Sequence, residues 1–309
     1  MHGTETDPDW LTHRSADSNP DRPKAMAWQE YHDRALSDWC ALLAQDPEED
    51  RVQEFLELHP AMIPGGSGDI GPGGHHNSEM GLVFRQPQLR GMDRSFLPDF
   101  MWVTQSSSLV TPILIEIEKP SRRWFRRDER PTAHFTAAHD QLAEWKAWFA
   151  NERNVGTFRQ RYLFGERYER RRFLPQYLLV YGRSHEFELG GGHLNPDFLN
   201  HKRDHMRRDD EHFMTFDSLR PRHDHSNSIT ATMTATGPAP FAFSPVYGTG
   251  PRTGETALML GSPLDALGRS VMMSDERRQY LAARWRFWAE RHEDDLRLRR
   301  RITYRSGLE

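Results

Sequence analysis

Three acidic residues and one lysine carry the most chemistry in this sequence. Asp99 follows Pro98 inside a strand-like segment, FLPDFMWVT (96–104). Glu116, Glu118 and Lys119 close a second such segment, TPILIEIEKP (111–120). In a strand, side chains at i and i+2 share a face. Glu116 and Glu118 then point one way, and Ile115 and Ile117 the other. If the two segments pair, Asp99 lies beside Glu116. Adjacent carboxylates repel and raise each other's pKa unless a cation sits between them. Oxygen ligands gathered in this way suit Mg²⁺ or Mn²⁺. Such a metal activates water and stabilises a phosphodiester transition state. A nearby lysine orients the water or neutralises developing charge. The same acids also fit the solvated face of an antiparallel sheet, where they would do no chemistry.

Two further features bear on this cluster. The chain has only four lysines, Lys24, Lys119, Lys146 and Lys202, among 41 basic residues, so a lysine beside the acids stands out. Arg122, Arg123, Arg126, Arg127 and Arg130 follow directly, with Trp124 and Phe125 among them. A basic, aromatic segment beside an acidic site suits a phosphate backbone, and Arg122, Arg123 and Arg126 are the candidate nucleic-acid contacts. Later runs, Arg159 to Arg172 and Arg297 to Arg301, read more simply as solvated faces.

The elements that must position these residues follow from hydrophobic periodicity. Residues 1–26 are polar and Pro- and Asp-rich, and predict a disordered tail. Helical spacing runs over 28–43 and 48–58, the second with Val52, Phe55 and Leu56 inward, and a Gly-rich loop covers 64–78. Strands are expected at 82–86, 96–104 and 111–118, the last two as a hairpin about Ser106–Ser108. A helix over 132–151 carries Ala138, Leu142, Trp145 and Phe149 on one stripe. A buried strand at 178–181, a partly helical 193–208 and a short strand at 213–216 complete a domain over 28–220. Residues 221–272, rich in Ser, Thr, Gly, Pro and Ala, predict an irregular wrapping segment. Ser274 is a good N-cap for a last long helix within 273–309.

These pieces resemble a known family. Pro98-Asp99 followed by Glu-x-Glu-Lys looks like the PD-(D/E)xK motif of the restriction-endonuclease-like superfamily. The wider chain is similar to the Shedu family of antiphage defence nucleases. Six segments carry the resemblance in order: QEFLELHP (53–60), LPDFMWV (97–103), ILIEIEKPS (113–121), HDQLAEWKAWF (139–149), YLLVYGRS (177–184) and MTFDSL (214–219). The resemblance implies an α/β restriction-endonuclease-like core, a central mixed sheet flanked by helices, with a C-terminal extension ending in a long helix. It implies Mg²⁺ (or Mn²⁺) held by Asp99 and Glu116, DNA as substrate, and a homo-oligomer. It also implies a supporting Gln141, in a Gln-x-x-x-aromatic pattern that Trp145 completes. Gln141 and Trp145 are i and i+4, so Gln141 flanks the buried stripe.

One departure stands out. The family pattern Glu-x-Lys would put lysine at 118, where this chain has glutamate, with lysine one place on. In a regular strand Lys119 would face away. Either the chain swings Lys119 inward before Pro120, or Glu118 joins the site, or catalysis is lost. The expectation is therefore a Mg²⁺-dependent endodeoxyribonuclease in antiphage defence, with Asp99, Glu116, Glu118, Lys119 and Gln141 as catalytic candidates. The alternative is a catalytically inactive module of the same fold that binds nucleic acid or a phage component.

Composition narrows the rest. At 309 residues with a net charge of −4, the chain is not built to coat nucleic acid wholesale. A single cysteine, Cys40, excludes an intramolecular disulfide and Cys-based zinc frameworks, and with it a reducing, cytoplasmic setting is expected. Cys40 lies on an amphipathic helix and is expected to pack inward. No apolar run approaches the roughly 20 residues of a membrane helix. Gly66, Gly68 and Gly71 fit GxGxxG in letters but lack the flanking strand and helix. His201, His205 and His212 lack the HExxH pattern.

Overall fold

The structure is a computed structural model and describes residues 22–68, 70–71, 78–91, 94–164 and 170–298. Most of the expected tail, part of the Gly-rich loop, Arg167 and Arg299–Arg301 lie outside the described residues. In chain order the elements are α1 (Trp28–Leu43), α2 (Glu49–Leu58), β1 (Leu82–Arg85), β2 (Leu89–Arg90), β3 (Ser95–Phe96), β4 (Phe100–Gln105) and β5 (Leu109–Ile117). Then come α3 (Ala133–Phe149), α4 (Glu152–Tyr162), β6 (Arg172–Phe173), β7 (Gln176–Val180), α5 (Pro196–Met206) and β8 (Glu211–Met214). The last are β9 (Ile229–Met233), β10 (Pro238–Phe243), α6 (Thr253–Leu260), α7 (Leu264–Arg269) and α8 (Asp275–Arg297).

Eight of these strands make a mixed sheet in the order β10-β9-β1-β4-β5-β7-β8, with β6 beside the start of β5, and β2 pairs with β3 separately. The pairs β1–β4 and β4–β5 are antiparallel, and β5–β7 and β7–β8 parallel. The fold is thus the expected central mixed sheet flanked by helices, with a long C-terminal helix. The hairpin forms as expected, Ser106 Oγ accepting from the Leu109 N–H in its turn. Alternation along β5 divides the core. Ile113, Ile115 and Ile117 join Tyr31, Trp39, Val52 and Leu56 under α1 and α2. Leu114 joins Leu142, Trp145, Phe149 and Phe158 under α3 and α4. Eight of the nine β5 residues are buried, as befits a strand covered on both faces. Ser274 caps α8 by accepting from the Arg277 N–H.

Three expectations are corrected. The stretch 221–272 is not an irregular wrapping segment. It supplies β9, parallel to β1, then β10 at the sheet edge, and the helices α6 and α7. The prolines of β10 are tolerated because an edge strand leaves one row of its N–H groups unpaired in any case. The helix α4 is absent from the sequence reading, since ERNVGTFRQRY is polar except for Val155 and the buried Phe158 and Tyr162. Cys40 is exposed, because the buried stripe of α1 is Tyr31, Ala35, Trp39 and Leu43, and residue 40 falls beside it.

Candidate active site

The antiparallel register pairs Phe100 with Ile115, which places Asp99 opposite Glu116 where the two strands end. The Asp99 N–H donates to the Ile115 carbonyl (3.1 Å), and the Ile117 N–H donates back to Asp99 Oδ2 (2.8 Å). Both carboxyls are 9 % exposed and lie in hydrogen-bond contact with each other. Burial pushes Asp99 up to about 7, against the pull of the Ile117 N–H, with Glu49 and Glu57 adding negative charge. Burial likewise holds Glu116 well above the ordinary range, and the Asp99 and Glu49 charges add to it. Gln141, reaching over from α3, donates to Glu116 and opposes the rise only in part. Glu116 Oε2 is buried and has no hydrogen-bond partner. Among the described residues no lysine or arginine is paired with either carboxyl.

Of the sequence candidates, Asp99, Glu116 and Gln141 thus come together. The other two are paired with other side chains. β5 ends at Ile117, and the Glu118 N–H donates to the Val180 carbonyl (3.2 Å). The buried Glu118 carboxylate pairs with Arg122. Lys119 Nζ donates to Glu48 Oε1 (2.5 Å), just ahead of α2. The scarcity of lysine does not mark Lys119 out. Lys146 bonds Asp210 Oδ1 (2.5 Å) and the fully buried Glu211 (2.6 Å), and Lys202 donates to the Glu129 carbonyl (2.6 Å).

The arginines that follow are distributed rather than displayed as a row. Arg122 is committed to Glu118 on one side. Arg123 Nη2 donates to the Gly191 carbonyl (2.6 Å), and Arg126 pairs with Asp128 (2.5 Å). Trp124 and Phe125 are 0 % and 1 % exposed, so they are core residues and not platforms for bases. Glu186 holds them there: its two oxygens accept from the Trp124 and Phe125 N–H groups at 2.9 Å each.

Sequence reasoning missed Glu49 and Glu57, the α2 acids whose charge acts on the pair. Glu57 lies inside QEFLELHP, but a helical glutamate next to a buried leucine gives no sign that it too is buried, with Arg85 as its partner (2.7 Å). The pair offers two carboxylates, not three: among the described residues no three His, Cys, Asp or Glu side chains converge as a metal-ligand set, His201, His205 and His212 included. Two buried acids, one with a free oxygen and neither with a cation, still fit a divalent ion completed by water or substrate oxygens.

A family model described as Shedu protein SduA, C-terminal, matches residues 46–220. The match opens just before α2 and closes after β8, so it contains Asp99, Glu116 and Gln141. Neither a curated protein nor a solved structure matches the chain. Among the described residues no helix is long and apolar enough to cross a membrane.

Proposed function

The chain belongs to the Shedu family, and on that premise we propose that it hydrolyses phosphodiester bonds of DNA at Asp99 and Glu116 with a divalent metal. Membership implies a role in antiphage defence. The observation that carries the chemical reading is the buried Asp99–Glu116 pair. Both groups resist ionisation, and one oxygen has no partner. A protein of marginal stability does not keep such a pair without a use, because two buried acids side by side oppose folding at neutral pH.

Mg²⁺ or Mn²⁺ at this point would supply Lewis acidity toward water and toward the phosphoryl oxygens. Asp99 and Glu116 are the residues to hold it. Asp99 is fixed by the Ile117 N–H, so its other oxygen is the one turned to a ligand. Gln141 orients Glu116 through its amide. Glu49 stands behind both as a further negative charge. Glu118, neutralised by Arg122, takes no part as a ligand in this arrangement.

One observation favours the second reading, a binding module without catalysis: the lysine of the motif is spent on Glu48. Plasmid incubation with Mg²⁺ or Mn²⁺, against an EDTA control, separates the two. Cleavage by the wild type, lost on the order of 10²-fold or more in Asp99→Asn and Glu116→Gln, supports the enzyme. Cleavage that persists in both variants, or that never occurs with either metal, sinks it.

A further inference from the structure

The strand ends that present Asp99 and Glu116 also form a second feature. β5 and β7 are parallel, with Ile117 beside Val180, so the loops that leave them start side by side. Ligands of α/β sheets bind outside the carboxyl ends of such strands. Asp99, at the start of the antiparallel β4, comes to the same end. Gly182 makes the close meeting of the two loops possible. Its φ is +62°, and a Cβ there would stand 2.7 Å from Trp124 Nε1 and 2.9 Å from the Arg122 carbonyl oxygen.

Between these loops lies a pocket of about 260 Å³, lined by Arg122, Arg123, Arg183, Ser121 and His185. Two acids also line it, Asp46 and Glu186. Glu186 has already given both oxygens to the Trp124 and Phe125 N–H groups and stands 3.7 Å from Arg123. Asp46 is exposed to solvent. These acids offset the arginine charges, so what the pocket offers an anion is its unused guanidinium N–H donors. Each guanidinium has five N–H donors. Arg183 uses three, two to Asp217 Oδ1 (2.9 and 2.7 Å) and one to the Leu43 carbonyl (3.1 Å). Arg123 engages Nη2, on Gly191 and His193, and its Nε faces Glu186 at 3.7 Å. Arg122 is bound on one side by Glu118. Three arginines, each with protein acceptors and each with donors to spare, line one pocket and suit a tetrahedral anion.

We infer that this pocket binds a phosphate group of the nucleic acid whose cleavage is proposed at the neighbouring carboxylates. The identity of the ligand rests on that reading; the anion chemistry of the pocket does not. Arg122 and Arg123 are legible as phosphate contacts in the sequence, whereas Arg183 comes from a separate loop that only the parallel pairing brings in. Arg126 is paired with Asp128 and does not line the pocket.

The test is fluorescence anisotropy of a short DNA duplex with the full chain in EDTA, over a series of salt concentrations. Arg123→Gln and Arg183→Gln should each weaken binding about fivefold, and each should lower the salt slope by about 0.9 for every phosphate it no longer neutralises. Arg34→Gln, an exposed charge on α1 paired with Glu30, removes the same charge elsewhere and should change neither. Arg183 also ties Asp217 and Leu43, so a melting curve accompanies each variant. Should Arg183→Gln fail to fold, Arg123→Gln carries the test, its side chain being 46 % exposed. Unchanged slopes in the pocket variants, or an equal loss in Arg34→Gln, overturn the proposal. So does inorganic phosphate that raises the melting temperature through Arg123 while duplex binding ignores it, since the pocket would then serve a free anion. Slope changes as expected, without cleavage by the wild type in Mg²⁺ or Mn²⁺, leave the pocket standing and reject the nuclease.

Discussion

Replacing Asp99 by Asn should stabilise the protein, by an amount that grows with pH. Burial, with the charges of Glu49 and Glu57, lifts the Asp99 carboxyl from 3.8 to about 7. Between those values the folded protein keeps the proton and the unfolded chain has lost it. The stability linked to this group is therefore fully present below 3.8 and is lost as pH rises through about 7. An asparagine binds no proton and suffers no such loss, and its Oδ1 can still accept from the Ile117 N–H. Each pH unit well inside the window is worth about 1.36 kcal/mol and less near its upper edge, so between pH 5 and pH 7 the variant should gain about 2 kcal/mol on the wild type. Terms that do not depend on pH, such as an altered hydrogen bond to Glu116, cancel in this difference. For a chain of this size the gain corresponds to about 3 °C in Tm. The assay is urea or thermal unfolding of both proteins at the two pH values in EDTA, so that no divalent ion offsets the repulsion. A difference between the proteins that stays constant with pH, or that falls as pH rises, refutes the buried-pair account.

Two further outcomes follow from the same strand end. Gly182→Ala should cost about 2 kcal/mol or more, read as a lower urea midpoint, because the left-handed φ and the 2.7 Å approach to Trp124 both oppose a Cβ; an unchanged midpoint would mean the two loops do not meet there. Lys119→Ala should leave plasmid cleavage within a few fold of the wild type, since its amine is spent on Glu48. A loss on the order of 10²-fold would instead show that Lys119 reaches the carboxylates during turnover.

Much of this architecture is readable from residue types, and the failures have physical causes. β5 announces itself because a strand buried on both faces needs an apolar run, and TPILIEI is one. The pairing of Asp99 with Glu116 follows from the hairpin. What fails is the choice of partner at the end of the strand. Alternation carried past Ile117 puts Glu118 on the Glu116 face as a possible third ligand; its N–H still joins the ladder at the Val180 carbonyl, but Arg122 claims its carboxylate. β9 and β10 are hidden because Thr230, Ala231 and Ala242 are small or polar yet fully buried, and what buries them is tertiary. Arg183 cannot be tied to Arg122 and Arg123 from sequence, because only the β5–β7 pairing makes them neighbours.

The pairing of β9 with β1 has a consequence for how the protein is made. Leu82 finds its partner at Ile229, far along the chain, and the family match ends at residue 220. A ribosome that has finished the matched region has not yet made the strand that covers the β1 edge. Until β9 arrives, β1 presents unpaired backbone groups beside the apolar Leu82, Val83 and Phe84. Such an edge is a template for pairing with another chain. Pairings between segments so distant also form slowly, since the loop between them must close first. A fragment cut at the end of the family match should therefore aggregate on expression, whatever its catalytic residues, and the extension is the part of the chain that completes the sheet rather than an appendage to it.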